Sequence, residues 1–281
     1  MLDERDIITS RQNPTVKRIC ALLDKKSRRV EGLFRFDGIK LFGEALDCGL
    51  KVRYAVLSSG ASDEIRARVE RAVADRRLEG SALILVSDAV FEKISEERSP
   101  EGIITVAELP RERHRELDAE AADTYCVQKS ERILIAEALR DPGNLGTVIR
   151  SCAALGIDRL ILSGDCADLY NPKAVRAAMG GLFRLNVDII PVQAMPAAIA
   201  SLRRGGRKVY AAALGRDALE IGAIGLSRGD CFVIGNEGHG LCEHTINACD
   251  ACAVIPMRAG CESLNAAAAA AICIWETVKA D

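Results

Sequence analysis

The chain has no excess charge of one sign, no long apolar run and few histidines, and each absence narrows what it can be. Its 38 Lys and Arg balance 40 Asp and Glu, so no net field points to a nucleic-acid or membrane partner. No apolar stretch reaches the roughly 18 residues that a membrane span needs. The opening Met1-Leu2-Asp3-Glu4-Arg5-Asp6 lacks the apolar core of a secretory signal. Eleven cysteines in a long chain without such a signal read as small buried hydrophobes in a reducing cytosol. One group, Cys242, His244, Cys249 and Cys252, ends in Cys-x-x-Cys spacing. A structural zinc site usually has two close-spaced ligand pairs, and the first pair here is a looser Cys-x-His. We therefore place Cys242 and Cys249 on one helix and Cys252 on the next strand, without a metal. The three histidines, His114, His239 and His244, read as a solvated linker residue and two structural residues. The expectation is a soluble cytoplasmic protein.

What is present is alternation. Residues 1–110 read as one α/β unit, with strands near 32–37, 54–58, 83–87 and 103–106 and helices near 13–29, 39–48 and 63–78. Residues 111–131 are densely charged and read as a linker. Residues 132–281 alternate again, with short apolar strands at 133–136, 159–162, 208–212, 231–234 and 253–255, each followed by a helix. Such strands indicate a parallel sheet covered on both faces, whose ligands bind at the carboxyl ends of the strands.

Three loops at strand ends carry the chemistry. Asp141-Pro142-Gly143-Asn144-Leu145-Gly146 opens a helix bearing Arg150, a setting suited to phosphate. Gly235-Asn236-Glu237-Gly238-His239-Gly240 contains G-x-x-G-x-G, but no acidic residue follows where a dinucleotide ribose would need one. The third loop runs from Ala253-Val254-Ile255-Pro256-Met257 through Gly260 to Ser263-Leu264-Asn265 and six alanines, Ala266 to Ala271. Ser and Asn cap helix starts and alanine is the best helix former. A helix faced with methyl groups lets other backbone pass close by, and Ala268 is a position where a bulkier residue should disturb it.

In order and spacing, Asn144-x-Gly146-x-x-x-Arg150, Gly235-x-Glu237-x-x-Gly240 and Ile255-Pro256-Met257-x-x-Gly260-x-x-Ser263-Leu264-Asn265 resemble the SpoU/TrmH class of RNA ribose 2′-O-methyltransferases in the SPOUT superfamily. The first unit resembles that class's substrate-binding domain, a ribosomal-protein-like α/β/α sandwich, through Ile8-Thr9-Ser10-x-x-Asn13-Pro14, the strand from Gly32 to Gly38, and Ser99-Pro100-Glu101-Gly102-Ile103. The resemblance implies a C-terminal α/β domain tied in a deep trefoil knot, a homodimer, and S-adenosyl-L-methionine held by backbone at Gly235, Ile255 and Leu264. It implies methyl transfer to a ribose 2′-hydroxyl of RNA, ribosomal before transfer RNA, with no metal, and a polar active-site set of Asn144, Arg150, Glu237, Ser263 and Asn265. Arg150 is either the general base or the group that binds a target phosphate and orients the hydroxyl. A guanidinium with a pKa above about 12 is hard to deprotonate. Glu237 either orders the loop or Asn144, or is structural. Two departures stand out: Ala266-Ala267 replace the class's usual Val-Ser, and Phe36-Asp37-Gly38 replaces an aliphatic-Glu-Gly sequence. A basic cluster, Arg11, Lys17, Arg18, Lys25, Lys26, Arg28, Arg29, Arg35 and Lys40, is the candidate RNA footprint, with Lys173 and Arg176 as further phosphate contacts.

Overall fold

The computed structural model describes residues 7–215, 217–236, 238–258, 260 and 263–279. The chain divides into two units, the first taking residues up to Pro110 together with Tyr170–Arg176 and the second the remainder.

In the first unit, α1 (Pro14–Ala21) and α2 (Lys25–Glu31) precede β1 (Leu33–Asp37), α3 (Ile39–Asp47), β2 (Val52–Ser58), α4 (Asp63–Ala74), β3 (Leu83–Val86), α5 (Asp88–Ile94) and β4 (Ile103–Glu108). The strands form one mixed sheet in the order β1-β4-β2-β3. Residues 13–29, expected as one helix, form two, because Asp24 caps the second by accepting from the Ser27 backbone N–H at 2.8 Å. Asn13 caps α1 through Thr15 N at 2.8 Å, with Pro14 at the first helical position. The Ser-Pro-Glu-Gly loop has a physical role: Glu101 Oε2 accepts from the Ile39 N–H at 2.8 Å and so caps α3, which begins after Gly38 at φ +101°.

The basic cluster does not survive as a single footprint. Arg28 and Arg35 are only 4 % and 2 % exposed. Arg28 donates to the carbonyls of Leu22 and Leu23, and Arg35 pairs with Asp37 at 3.3 Å. Arg18 pairs with Glu31. Arg11, Lys17, Lys25, Lys26, Arg29 and Lys40 keep exposed positions.

In the second unit, β5 (His114–Glu116), α6 (Ala119–Asp123), β6 (Ile133–Ala136), α7 (Pro142–Leu155) and β7 (Arg159–Ser163) are followed by α8 (Pro172–Ala178), most of which counts with the first unit. Then come β8 (Asn186–Ile190), α9 (Met195–Arg204), β9 (Val209–Ala212), β10 (Leu219–Glu220), β11 (Cys231–Ile234), α10 (Glu243–Ala248), β12 (Ala251–Val254) and α11 (Ala266–Lys279). The eight strands lie in the order β10-β12-β9-β11-β6-β7-β8-β5, and the pairs are parallel. The expected parallel sheet is therefore present, and it is longer than the sequence indicated.

The extra length comes largely from charge. The segment 111–131, expected as a linker, supplies β5 and α6. β5 pairs with β8, placing His114 opposite Val187. His114 is consequently not a solvated linker residue: it is partly buried, and that burial pushes its imidazole down to about 4. On β8, Asp188 is fully buried and accepts two bonds at 2.7 Å from Arg115, one from Tyr125 Oη at 2.5 Å and one from Arg159 at 3.1 Å. Burial alone would raise its pKa, yet the bonds from Arg115 and Tyr125, with the charge of Arg159, hold it below the usual carboxylate range. The same burial, with the neighbouring Asp188 charge, pushes the Tyr125 phenol upward.

Candidate cofactor and active site

β12, β9 and β11 are neighbours, so their carboxyl ends open side by side. Above them lies a cavity of about 510 Å³, bounded by Ala212–Leu214 at the end of β9, Gly235, Asn236 and Gly238–Leu241 after β11, Ile255 and Met257 after β12, and Ser263 and Leu264 before α11. The volume falls in the range of ligand pockets, and the lining is largely glycine and apolar residues, with Asn236, His239 and Ser263 as its polar members.

The loop after β11 is folded tightly on itself. Asn236 N donates to Gly240 O at 3.0 Å and Gly240 N to Asn236 O at 2.9 Å. Inside this ring, Asn236 Oδ1 accepts from the backbone N–H groups of Gly238 at 2.8 Å and His239 at 3.2 Å. An asparagine that satisfies the backbone two and three residues ahead is what such a turn requires. Gly235 is forced by the same geometry: a Cβ there would lie 2.5 Å from the Gly240 carbonyl carbon and 2.7 Å from Leu241 N.

The polar group forms where two helices begin. At α7, Asp141 caps through Asn144 N at 2.8 Å and Pro142 occupies the first position. At α11, Asn265 Oδ1 accepts from Ala267 N at 3.0 Å and Ala268 N at 3.3 Å. Its Nδ2 is thereby left to donate, and it reaches Asn144 Oδ1 at 3.1 Å. The first and third motif loops thus meet through one side-chain bond, while Ser263 and Leu264, immediately before Asn265, line the cavity. α11 then packs against α7 and β11, with Ala266, Ala267 and Ala270 buried. Ala268 is exposed, which corrects the expectation that a bulkier side chain there would meet the packing.

Arg150 is not gathered with these groups. Six residues beyond Asn144 on the same helix, it lies roughly 240° around the axis and about 9 Å along it. It sits on the exposed face of α7 with Thr147 and Ala154. Glu237 lies outside the described residues. His239 borders the cavity through the turn, with its N–H held by Asn236. Cys249 is 8 % exposed within the apolar core of the unit and donates its thiol to Thr245 O at 3.2 Å. Burial, with a smaller contribution from the nearby Cys252, pushes that thiol up to about 12. Cys242 lies at the exposed cap position before α10. Two residues that the sequence alone does not single out also hold this loop: Asn236, within the glycine-rich segment, donates to Ala138 O at 2.8 Å, and Glu137, directly after β6, accepts from the Cys242 N–H at 2.8 Å.

A parallel sheet with a cavity over adjacent strand ends defines an α/β ligand-binding domain of the open-sheet class. The relationships of the chain are more specific. It belongs to the SpoU rRNA methylase family, whose model matches residues 131–275, and residues 13–105 match the MRM3-like substrate binding domain. It is 30 % identical over 270 residues to the 23S rRNA (guanosine(2553)-2'-O)-methyltransferase RlmP of Bacillus subtilis, covering 95 % of this chain and 97 % of that one. It is 29 % identical to the 23S rRNA (uridine(2479)-2'-O)-methyltransferase of Streptomyces viridochromogenes, covering 97 % and 91 %. The fold superposes on the AdoMet-bound rRNA methyltransferase from Sinorhizobium meliloti with a TM-score of 0.80 at 29 % identity, covering 97 % of each chain.

Proposed function

We propose that this protein transfers the methyl group of S-adenosyl-L-methionine to a ribose 2′-hydroxyl of ribosomal RNA. The observation that carries the reading is the Asn144–Asn265 bond, which joins two motif loops beside a cavity built by the other strand-end loops. The cavity fits the cofactor in size, and the cradle at Gly235 leaves no room for a side chain. Gly235, Ile255 and Leu264 would hold the cofactor through their backbones. Bound there, it supplies a methyl group already activated by the sulfonium, so the chemistry is largely its own.

The protein's part is position and solvent exclusion. Asn144 and Asn265 fix each other at the mouth, where an amide pair can orient a hydroxyl. Arg150 grips a target phosphate through its planar guanidinium and so orients the hydroxyl, with Ser263 or a phosphate oxygen sharing the hydroxyl proton by hydrogen bond until it is released to water. Because Arg150 faces away from Asn144 on α7, the working site is completed by a second copy of the chain. The exposed Trp275 on α11, 55 % accessible, supports a contact with that second copy. The close passage of α11 against α7 and β11 supports a trefoil knot in the C-terminal chain. The exposed lysines and arginines of the first unit, together with Lys173 and Arg176, are the RNA contacts. No helix among the described residues is long and apolar enough to cross a membrane, in keeping with work in the cytoplasm.

Mapping 2′-O-methyl positions in ribosomal RNA from cells with and without the gene tests the function. One position should lose its methyl group, and an unchanged map refutes the reading. Shared sites are tested by mixing Asn144→Ala with Arg150→Ala subunits. Random pairing should restore about a quarter of wild-type activity, since half the dimers are mixed and each then holds one intact site. No restoration would place Arg150 and Asn144 in one subunit.

A further inference from the structure

The residue after β6 is a glutamate that is 4 % exposed, and among the described residues no cation is paired with its carboxylate. Buried carboxylates are costly unless hydrogen-bonded, and both oxygens of Glu137 are engaged. Oε1 accepts from the Cys242 backbone N–H at 2.8 Å, and Oε2 accepts from the fully buried Thr245 hydroxyl. Cys242 Sγ in turn lies 3.2 Å from Thr245 Oγ1. The backbone N–H of Glu137 donates to Ile234 O at 2.9 Å. One residue therefore grips the chain immediately before the Gly235–Leu241 turn through its backbone and immediately after it through its carboxylate.

The next residue adds a third hold. Ala138 O accepts from Asn236 Nδ2 at 2.8 Å, and Ala138 N donates to Ser163 Oγ at 2.8 Å. Ala138 adopts φ +54°, a left-handed conformation that an L-residue with a Cβ rarely takes. A side-chain-bearing residue keeps such a conformation only where its surroundings hold it there, and here bonds to its two backbone groups do so.

We propose that Glu137 is a positioning residue that holds the cofactor turn in its binding shape, from beneath and before any ligand arrives. The proposal rests on the reading of the cavity as the cofactor site. It places part of the binding energy in a residue that touches no ligand: with the carboxylate gone, the turn must be ordered at the moment of binding, and affinity falls by that cost.

The test compares Glu137→Ala with Glu137→Gln, reading amide hydrogen exchange in the cofactor-free protein, calorimetric affinity for S-adenosyl-L-methionine, and methyl-transfer kinetics. In the Ala variant, Asn236, Gly240 and Cys242 amides should exchange at least tenfold faster, while Ala211 and Val233 in the core strands change less than twofold. Kd and KM for the cofactor should rise tenfold or more, with kcat at saturation falling less than threefold. Gln keeps an acceptor for Cys242 N–H and an amide for the Thr245 hydroxyl, so it should stay within threefold of wild type in each. Exchange that is unchanged, or accelerated equally through the core strands, overturns the proposal, as does equal behaviour of Gln and Ala. If the Ala variant does not fold, Thr245→Val removes one donor at constant volume, and acceleration of the same three amides decides. Wild-type protein that fails to bind S-adenosyl-L-methionine overturns the proposed function instead. Wild-type binding with unaltered exchange in the Ala variant overturns the tether alone.

Discussion

Replacing Asn265 removes two separable things. Its Oδ1 caps α11 through two backbone N–H groups, and its Nδ2 holds Asn144. Losing a cap of this type costs about 1 kcal/mol, with a range of roughly 0.5–2. Losing a neutral side-chain hydrogen bond at an accessible position costs about 0.5–1 kcal/mol more. Asn265→Ala should therefore destabilise the second unit by about 1.5–2 kcal/mol. At roughly 2–4 °C per kcal/mol for a domain of this size, its melting transition should fall by about 3–8 °C. Asn265→Ser keeps a capping oxygen but is too short to reach Asn144, so it should lose only about 1–4 °C. Methyl transfer should not follow that ranking: both variants break the Asn144 contact, and their activities should fall together although their stabilities differ. Scanning calorimetry and single-turnover methyl transfer on the three proteins provide the readings. Ala and Ser variants that melt together would refute the capping role. A Ser variant with wild-type activity would refute the role of the Asn144 contact.

At Gly235, a methyl group would collide with the Gly240–Leu241 backbone at 2.5–2.7 Å, so Gly235→Ala should displace the turn and weaken cofactor binding at least tenfold by calorimetry, with the sheet retained by circular dichroism. Ala270 is fully buried and Ala268 is exposed. Ala270→Leu should thus cost about 1–3 kcal/mol of stability by overpacking, and Ala268→Leu should stay within about 0.5 kcal/mol, both read by denaturant unfolding. For pH, the His114 imidazole titrates near 4 in the folded chain because it is buried, against 6.5 as its ordinary value. The unfolded state then binds the extra proton between those values, so this stabilisation is complete above about 6.5 and drains away as pH falls toward 4. His114→Gln should flatten the stability profile in that window, and a profile of unchanged slope would refute the assignment.

What could be read in advance depended on where the physical cause of each feature lies. Ile133–Ala136 and Cys231–Ile234 are apolar throughout, and their strands were legible because burial on both faces is written into four consecutive residues. Asn186–Ile190 was not, because Asp188 interrupts the run. Its acceptability on a buried strand depends on Arg115, Tyr125 and Arg159, which lie 73, 63 and 29 residues away. The charged stretch that looked like a linker is the other half of that arrangement. The site divides the same way. Asn144, Gly235 and Asn265 sit in contiguous motifs whose spacing is local. Asn236 and Glu137 act on partners 98 to 108 residues distant, and nothing beside them in the chain marks those partners. The alanine helix shows the limit most clearly. Six identical residues have composition but no periodicity, so they announce a close passage without naming the face that is approached. That face is chosen by α7 and β11, which enclose Ala266, Ala267 and Ala270 and leave Ala268 outside. The inference from small side chains to tight packing thus holds for one side of the helix, and Ala270 is where it can be tested.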